Sequence, residues 1–243
     1  LIASQRGAQL LVGGGYRSIW LLESGGTVRG DDGLPAQVPR FDDDGRTQLG
    51  TGFDEAAWDA RLVQGLAGGT RVTAAYYDYR QLDAPRTDQC PPAFAAPSEC
   101  LRFDEQFHAL GYLAVDADLG SWARALRVAV SLQEQHERKT RDRPQSAAQN
   151  GGRDDVRTAG VVLTATTADW RPALAPALVP ASWIDAGVRA RLRWGADLYR
   201  DTVDSVAWTR LTDLAVTRYD SRGQYLAGSS YATGGLWAEP ELD

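Results

Sequence analysis

Three arginines recur at every second position, 189, 191 and 193, and Asp197 and Tyr199 continue the same column. Spacing of two puts Arg189, Arg191, Arg193, Asp197 and Tyr199 on one side of an extended strand, because successive side chains point to opposite faces. A column of this kind recognises anions, since a guanidinium fork matches a carboxylate. The intervening Val188, Ala190, Leu192, Trp194, Ala196 and Leu198 make a wholly apolar opposite side. The alternating run covers residues 186–201, whereas strands of water-soluble sheets usually have about 5–6 residues. A strand that crosses a bilayer takes about 9–11 tilted residues and often continues beyond it.

Other chemistry-bearing residues are few. Cys90 and Cys100 end a proline-rich loop, C-P-P-A-F-A-A-P-S-E-C. A disulfide between them would stabilise by about 2–3 kcal/mol through loop closure, and it implies export from the cytoplasm. The two histidines, His108 and His136, fit no metal-ligand spacing, and His136 beside Glu134 and Glu137 is the only seed of a hydrolytic site. Asp31, Asp32, Asp42, Asp43 and Asp44 could gather Ca²⁺, but the calcium-loop frame would have to begin at Arg40 and end at Thr51, so they read as a solvated loop. The run Gly13, Gly14, Gly15 lacks the strand-to-helix context of a phosphate loop, and no G-x-S-x-G elbow occurs. No catalytic residue, metal or cofactor is therefore expected. A net charge of -6 without a basic stripe argues against a nucleic-acid partner.

The elements that must carry these residues are strands. Alternation predicts eight in the 243 residues, at about 7–20, 52–63, 70–82, 103–116, 122–138, 155–169, 183–201 and from 229 onward. In the fourth, Leu110, Tyr112 and Ala114 are expected to share a face. Connections after odd-numbered strands are long and polar (21–50, 83–102, 139–153, 202–228), while 65–69 and 118–121 are tight turns and 170–182 is intermediate. This rhythm predicts an all-β fold: an antiparallel, up-and-down transmembrane β-barrel segment with short periplasmic turns and long extracellular loops. No apolar run reaches the roughly 18 residues of a membrane helix. Trp20, Trp58, Trp122, Trp183 and Tyr199 lie near strand ends, where aromatic girdles form. Ligand-contacting side chains are expected on the long loops, with Phe41, Phe94, Trp208, Tyr219 and Tyr225 as candidates.

Four segments carry a family resemblance. T-G-F-D-E-A-A-W-D-A-R-L at 51–62 resembles a barrel strand of TonB-dependent outer-membrane receptors, commonly T-G-Y-D-E-x-x-x-D-A-K-L. R-V-T-A-A-Y-Y-D-Y-R-Q-L-D-A-P-R-T-D at 71–88 is similar to that family's next strand, R-L-T-x-A-Y-Q-x-x-R-Q-x-D-V-P-R-x-D. W-G-A-D-L-Y-R-D-T-V-D-S at 194–205 resembles Y-G-x-E-x-Y-R-D-x-V-x-S, and G-S-S-Y with G-G-L-W-A at 228–238 is similar to the strand that follows.

The resemblance implies that residues 1–243 are part of a TonB-dependent receptor barrel, located in the cell outer membrane. Such barrels have about 22 strands around a plug. The plug, the remaining strands and the N-terminal segment that engages the TonB energy-transducing complex are then expected outside this chain. The implied partners are that complex, outer-membrane lipid and a small-molecule or metal-chelate ligand. The implied function is active uptake of a scarce nutrient of the ferric siderophore, haem or cobalamin class. Arg189, Arg191, Arg193, Asp197 and Tyr199 would then face the lumen or plug. Two alternatives remain at this point: a small self-contained barrel with a structural or adhesive role, and an outer-membrane hydrolase built on His136.

Overall fold

The computed structural model describes residues 2–5, 7–34, 41–86, 99–120, 123–143, 146–169, 190–211, 216–220 and 222–242. Its strands are β1 (Ile2–Gln5), β2 (Ala8–Ile19), β3 (Leu22–Glu23), β4 (Thr47–Gln48), β5 (Phe53–Gly65), β6 (Arg71–Pro85) and β7 (Cys100–Ala117). They continue with β8 (Ala123–Asp142), β9 (Ala148–Thr167), β10 (Ala190–Leu211), β11 (Val216–Asp220) and β12 (Ser229–Leu242). One sheet runs β1-β2-β5-β6-β7-β8-β9-β10, and the far edge of β10 is shared by β11 above and β12 below. Every pairing is antiparallel and, apart from β2 with β5 and β10 with β12, joins sequence neighbours, so the sheet is an up-and-down meander. β3 and β4 form a separate two-stranded ribbon within the first long connection.

Each of the eight expected strands has a counterpart, although residues 183–189 of the seventh lie outside the described residues, and several run on further than expected, β8, β9 and β10 most of all. β8 and β9 continue through the polar stretch after residue 138, leaving residues 143–147 as their connection. β10 continues ten residues beyond Asp201, to Leu211. The physical reason is that alternation marks a strand only where one face is apolar; where both faces are polar, ladder hydrogen bonds still form but the pattern vanishes.

The registers sort side chains onto two faces. One face carries Leu10 and Val12 of β2, Leu62 of β5, Val72 and Ala74 of β6 and Leu113 and Val115 of β7. It continues through Val128, Val130 and Leu132 of β8, Val161 and Leu163 of β9, Trp194, Ala196 and Leu198 of β10 and Leu236 of β12. The other face carries Arg17, Glu55, Arg71, Gln81, Asp116, Arg127, Gln133, Thr164 and Asp197. In β7, Leu110, Tyr112 and Ala114 share a face as expected; it is the polar one, where they pair with Tyr77, Ser131 and Ala129, and Leu113 and Val115 lie on the apolar face.

No second layer covers the apolar face among the described residues. Leu132 is 71% exposed, Leu198 59% and Leu236 88%. The fully buried side chains are small ones, such as Thr51, Ser205 and Ala114, lodged between strands. The sheet's outer members, β1 with β2 and β11 with β12, make no ladder with each other.

Within the sheet, aromatic rings lie over glycines of neighbouring strands. A Cβ on Gly160 would sit 2.7 Å from the Tyr199 ring and from Ser131 Oγ, whereas one on Gly14 would meet nothing nearer than 3.4 Å. Gly160→Ala is expected to destabilise the folded chain by about 1–3 kcal/mol, read as a lower urea midpoint with unchanged slope. Gly14→Ala is expected to leave the midpoint nearly unmoved.

Candidate functional site

The arginine column is built into the polar face of β10, and its partners come from the same chain. Arg191 pairs with Glu241, and Arg193 Nη1 lies 3.3 Å from Glu241 Oε1 and 3.6 Å from Glu239 Oε2. Glu239 and Glu241 stand directly opposite Arg193 and Arg191 in the β10–β12 register. Arg191 and Arg193 are thus neutralised across one ladder, so an acid from a plug is not required to satisfy them. The pairing was missed in the sequence because it joins residues about fifty positions apart and depends on register. Asp197 and Tyr199 lie on the same face, Tyr199 over Gly160. Arg189 lies outside the described residues.

Elsewhere the polar face carries further ion pairs. Arg71 and Arg127 both reach Asp116, at 3.4 and 2.9 Å, near the short-turn end. Arg17 pairs with Glu55, which also accepts from Tyr79 Oη at 3.0 Å.

At the opposite end the aromatic candidates separate. Trp208 and Tyr219 are strand residues, not loop residues, and they face each other across the β10–β11 ladder on the same side as the apolar band. Trp208 lies against Gly151, and the Arg210 guanidinium sits 5.7 Å from its ring centre. With Arg102, Arg138 and Arg153 they line an open recess of about 680 Å³. The strand extension that the sequence hid is what places them there.

Tyr225 belongs to the polar side. Its backbone N–H donates to Ser205 Oγ at 3.1 Å, and the Ser205 hydroxyl donates to Asp154. Lys139, the one lysine of the chain, reaches Glu137 Oε1 at 2.9 Å, Gln224 Oε1 at 2.8 Å and Asp154 Oδ2 at 3.6 Å. This network pins the segment between β11 and β12 onto the sheet, and Ser205 and Asp154, both buried, are its centre.

Phe41 makes a bridge to Gln48 at the base of the first long connection. The adjoining turn is held by Asp44, which accepts from Thr47 Oγ1 at 2.6 Å and from the Arg46 and Thr47 amides at 2.8 Å. Those donors, the Thr47 hydroxyl first, pull the Asp44 carboxyl down to about 2. Asp32 and Asp42 likewise accept local amides, at 2.9 and 2.8 Å. Among the described residues no three acids, cysteines or histidines converge as a metal site.

His136 is on the apolar-band side, above the band. Its Nδ1 lies 2.5 Å from Asp155 and its Nε2 3.0 Å from Glu105, and its ring stacks on Phe107. Both ring nitrogens are therefore engaged, and Arg138 and Arg153 bind the two carboxylates in turn, at 2.7 and 2.9 Å. The arrangement is a charged chain across β7, β8 and β9. Cys100 opens β7 and is buried, and no free thiol occurs among the described residues. Cys90 and Phe94 lie outside them.

Ser205→Ala removes the hydroxyl that serves Asp154 and the Tyr225 amide together. A loss of about 1–3 kcal/mol is expected for the groups left unpaired, with faster hydrogen exchange at the Tyr225 amide while amides of β8 below residue 133 keep their protection.

No protein-family model matches the chain, and no curated protein matches it. Among solved structures it aligns with the FrpB iron transporter from Neisseria meningitidis (F5-1 variant), at 9% identity and a TM-score of 0.43. The alignment covers 99% of this chain and 41% of that one, so the chain spans less than half the transporter's length. A likeness of that degree fixes neither the fold's detail nor the role.

Proposed function

We propose that the chain is part of the wall of an outer-membrane β-barrel receptor that takes up a scarce nutrient. The observation that carries this reading is the uncharged band on one face of the sheet. It covers residues 56–64 on β5, 107–117 on β7, 159–167 on β9 and 190–198 on β10, about nine to eleven residues on each, and is shorter on β6, where Asp78 and Arg80 follow Val72, Ala74 and Tyr76. At about 3.3 Å per residue and a tilt near 40°, nine residues stand about 23 Å tall. That matches the apolar band of about 25 Å around membrane barrels.

The band also slants. From β7 to β10 its upper limit is Phe107, Leu132, Ala159 and Leu198: relative to the hydrogen-bonded rows it drops four residues from β7 to β8, stays level to β9 and drops two more to β10. Tilted strands in a flat membrane require such a stagger. Above the limit, charged side chains begin and the strands run on for about ten residues into what would be the exterior.

The nutrient class rests on the resemblance of β5, β6, β10 and β12 to TonB-dependent receptors: a ferric siderophore, haem or cobalamin. Phe41, Phe94 and Tyr225 are proposed to contact it at the outer end, and Arg189, Asp197 and Tyr199 to face the lumen or plug; Trp208 and Tyr219, on the side of the apolar band, face away from that lumen. A Cys90–Cys100 disulfide would tie the loop between β6 and β7. The TonB complex would be engaged by the rest of a longer protein. The self-contained barrel is disfavoured because the sheet's two edges do not pair.

Thiol labelling tests the wall. In a Cys90→Ser, Cys100→Ser background, an impermeant maleimide is expected to label Thr217→Cys on intact cells and Asp118→Cys only after the outer membrane is opened. Equal labelling of both on intact cells, or recovery of the chain in the soluble fraction, would overturn the reading. The same cells are expected to accumulate one radiolabelled ferric chelate, haem or cobalamin only when they carry the gene. Equal uptake without the gene contradicts transport.

A further inference from the structure

On β6 to β10 the first charge above the uncharged band is paired on every strand but one. Asp78 of β6 holds Arg80 at 2.9 Å, Glu105 of β7 holds His136 at 3.0 Å, and Glu134 of β8 holds Arg157 of β9 at 3.0 Å. Arg200 of β10 differs: among the described residues it has neither an ion pair nor a hydrogen bond. Its cross-strand neighbours are Ala159 and Ala232, and Leu198 precedes it on the same face. A cation is thus left bare at the top of an apolar wall.

Directly beside it runs an open apolar groove of about 630 Å³. Gly111 and Ala159 give it room on either side of Leu132, and Val130, Val161 and Leu198 form its lower walls. Arg200 closes its upper end. Tyr112 and Ser131 also border it, but the register puts their side chains on the opposite face, so the groove offers methylene-sized contacts, while the arginine offers a forked donor to an anion.

We infer that a phosphate-bearing lipid of the surrounding leaflet docks here, with an acyl chain in the groove and its phosphate on Arg200. The inference rests on the membrane-wall reading above. Charge complementarity selects the occupant: an unpaired guanidinium at the band's upper limit extends toward headgroup level, where anionic lipid is attracted by about 1 kcal/mol per basic residue. A free anion would use the arginine but not the groove, and an uncharged lipid the groove but not the arginine.

The test is electron spin resonance of spin-labelled phosphatidic acid and phosphatidylcholine in phosphatidylcholine vesicles that hold the full chain. Phosphatidic acid is expected to associate about fivefold more strongly than phosphatidylcholine. Arg200→Gln is expected to abolish that preference, Arg157→Gln to leave it, and Ala159→Leu, which fills the groove, to lower it with Arg200 intact. Inorganic phosphate is expected not to compete. Undiminished preference in Arg200→Gln, or displacement by inorganic phosphate, overturns the lipid site alone, provided the chain floats with the vesicles. A chain that does not float with them overturns the membrane-wall reading and the lipid site together.

Discussion

The side chains of Leu10, Leu62, Leu113, Val130, Leu132, Val161, Leu198 and Leu236 share one face of a single sheet, and nothing in the described chain lies over them. Exposed contiguous apolar surface larger than a few hundred Å² is rare on soluble monomers, and at about 25 cal/mol per Å² a band crossing eight strands is costly to leave in water. Removal of this face from water is the constraint on which the remaining features depend. It explains why the strands alternate cleanly only over nine to eleven residues. It also explains why the protein can dispense with a packed interior, since small residues such as Ala114 and Ser205 suffice between the strands.

A sheet whose apolar face is left uncovered must satisfy its polar groups on the other face and beyond the band. The meander does so locally. Arg193 meets Glu239 and Glu241, Asp116 meets Arg71 and Arg127, and His136 links Glu105 to Asp155, each across neighbouring strands. Cross-strand pairs of this kind contribute a few tenths to about 1 kcal/mol each, so they specify register more than they supply stability. The Ser205, Asp154 and Lys139 network differs, because two of its members are buried and it fixes a whole connecting segment.

The alternation of β10 and the order of the eight strands were legible in the sequence because one face there is uniformly apolar. The upper halves of β8 and β9 were not, because between residues 140 and 153 both faces are mostly polar, nor was that of β10, because over 202–211 apolar residues such as Val203 and Trp208 fall on both faces, and in either case period two leaves no trace. In β7 the sequence grouped Leu110, Tyr112 and Ala114, but Leu113 and Val115 on the other side are apolar too, so only the pairing with Ser131 and Val130 decides which side joins the band. The acids that neutralise Arg191 and Arg193 were invisible until register was known. Trp208 and Tyr219 had the right chemistry for a rim, but their place on an extended hairpin came from the ladder, not from composition.

The central claim is that Val130 faces lipid while Gln133, three residues along the same strand, does not. Urea unfolding of the chain in phospholipid vesicles measures this directly. Val130→Arg is expected to lower stability by about 2–4 kcal/mol, the cost of a cation on the lipid face of a membrane barrel, and Gln133→Arg to change it little. Equal effects of the two substitutions, or a larger loss for Gln133→Arg, would contradict the assignment of faces.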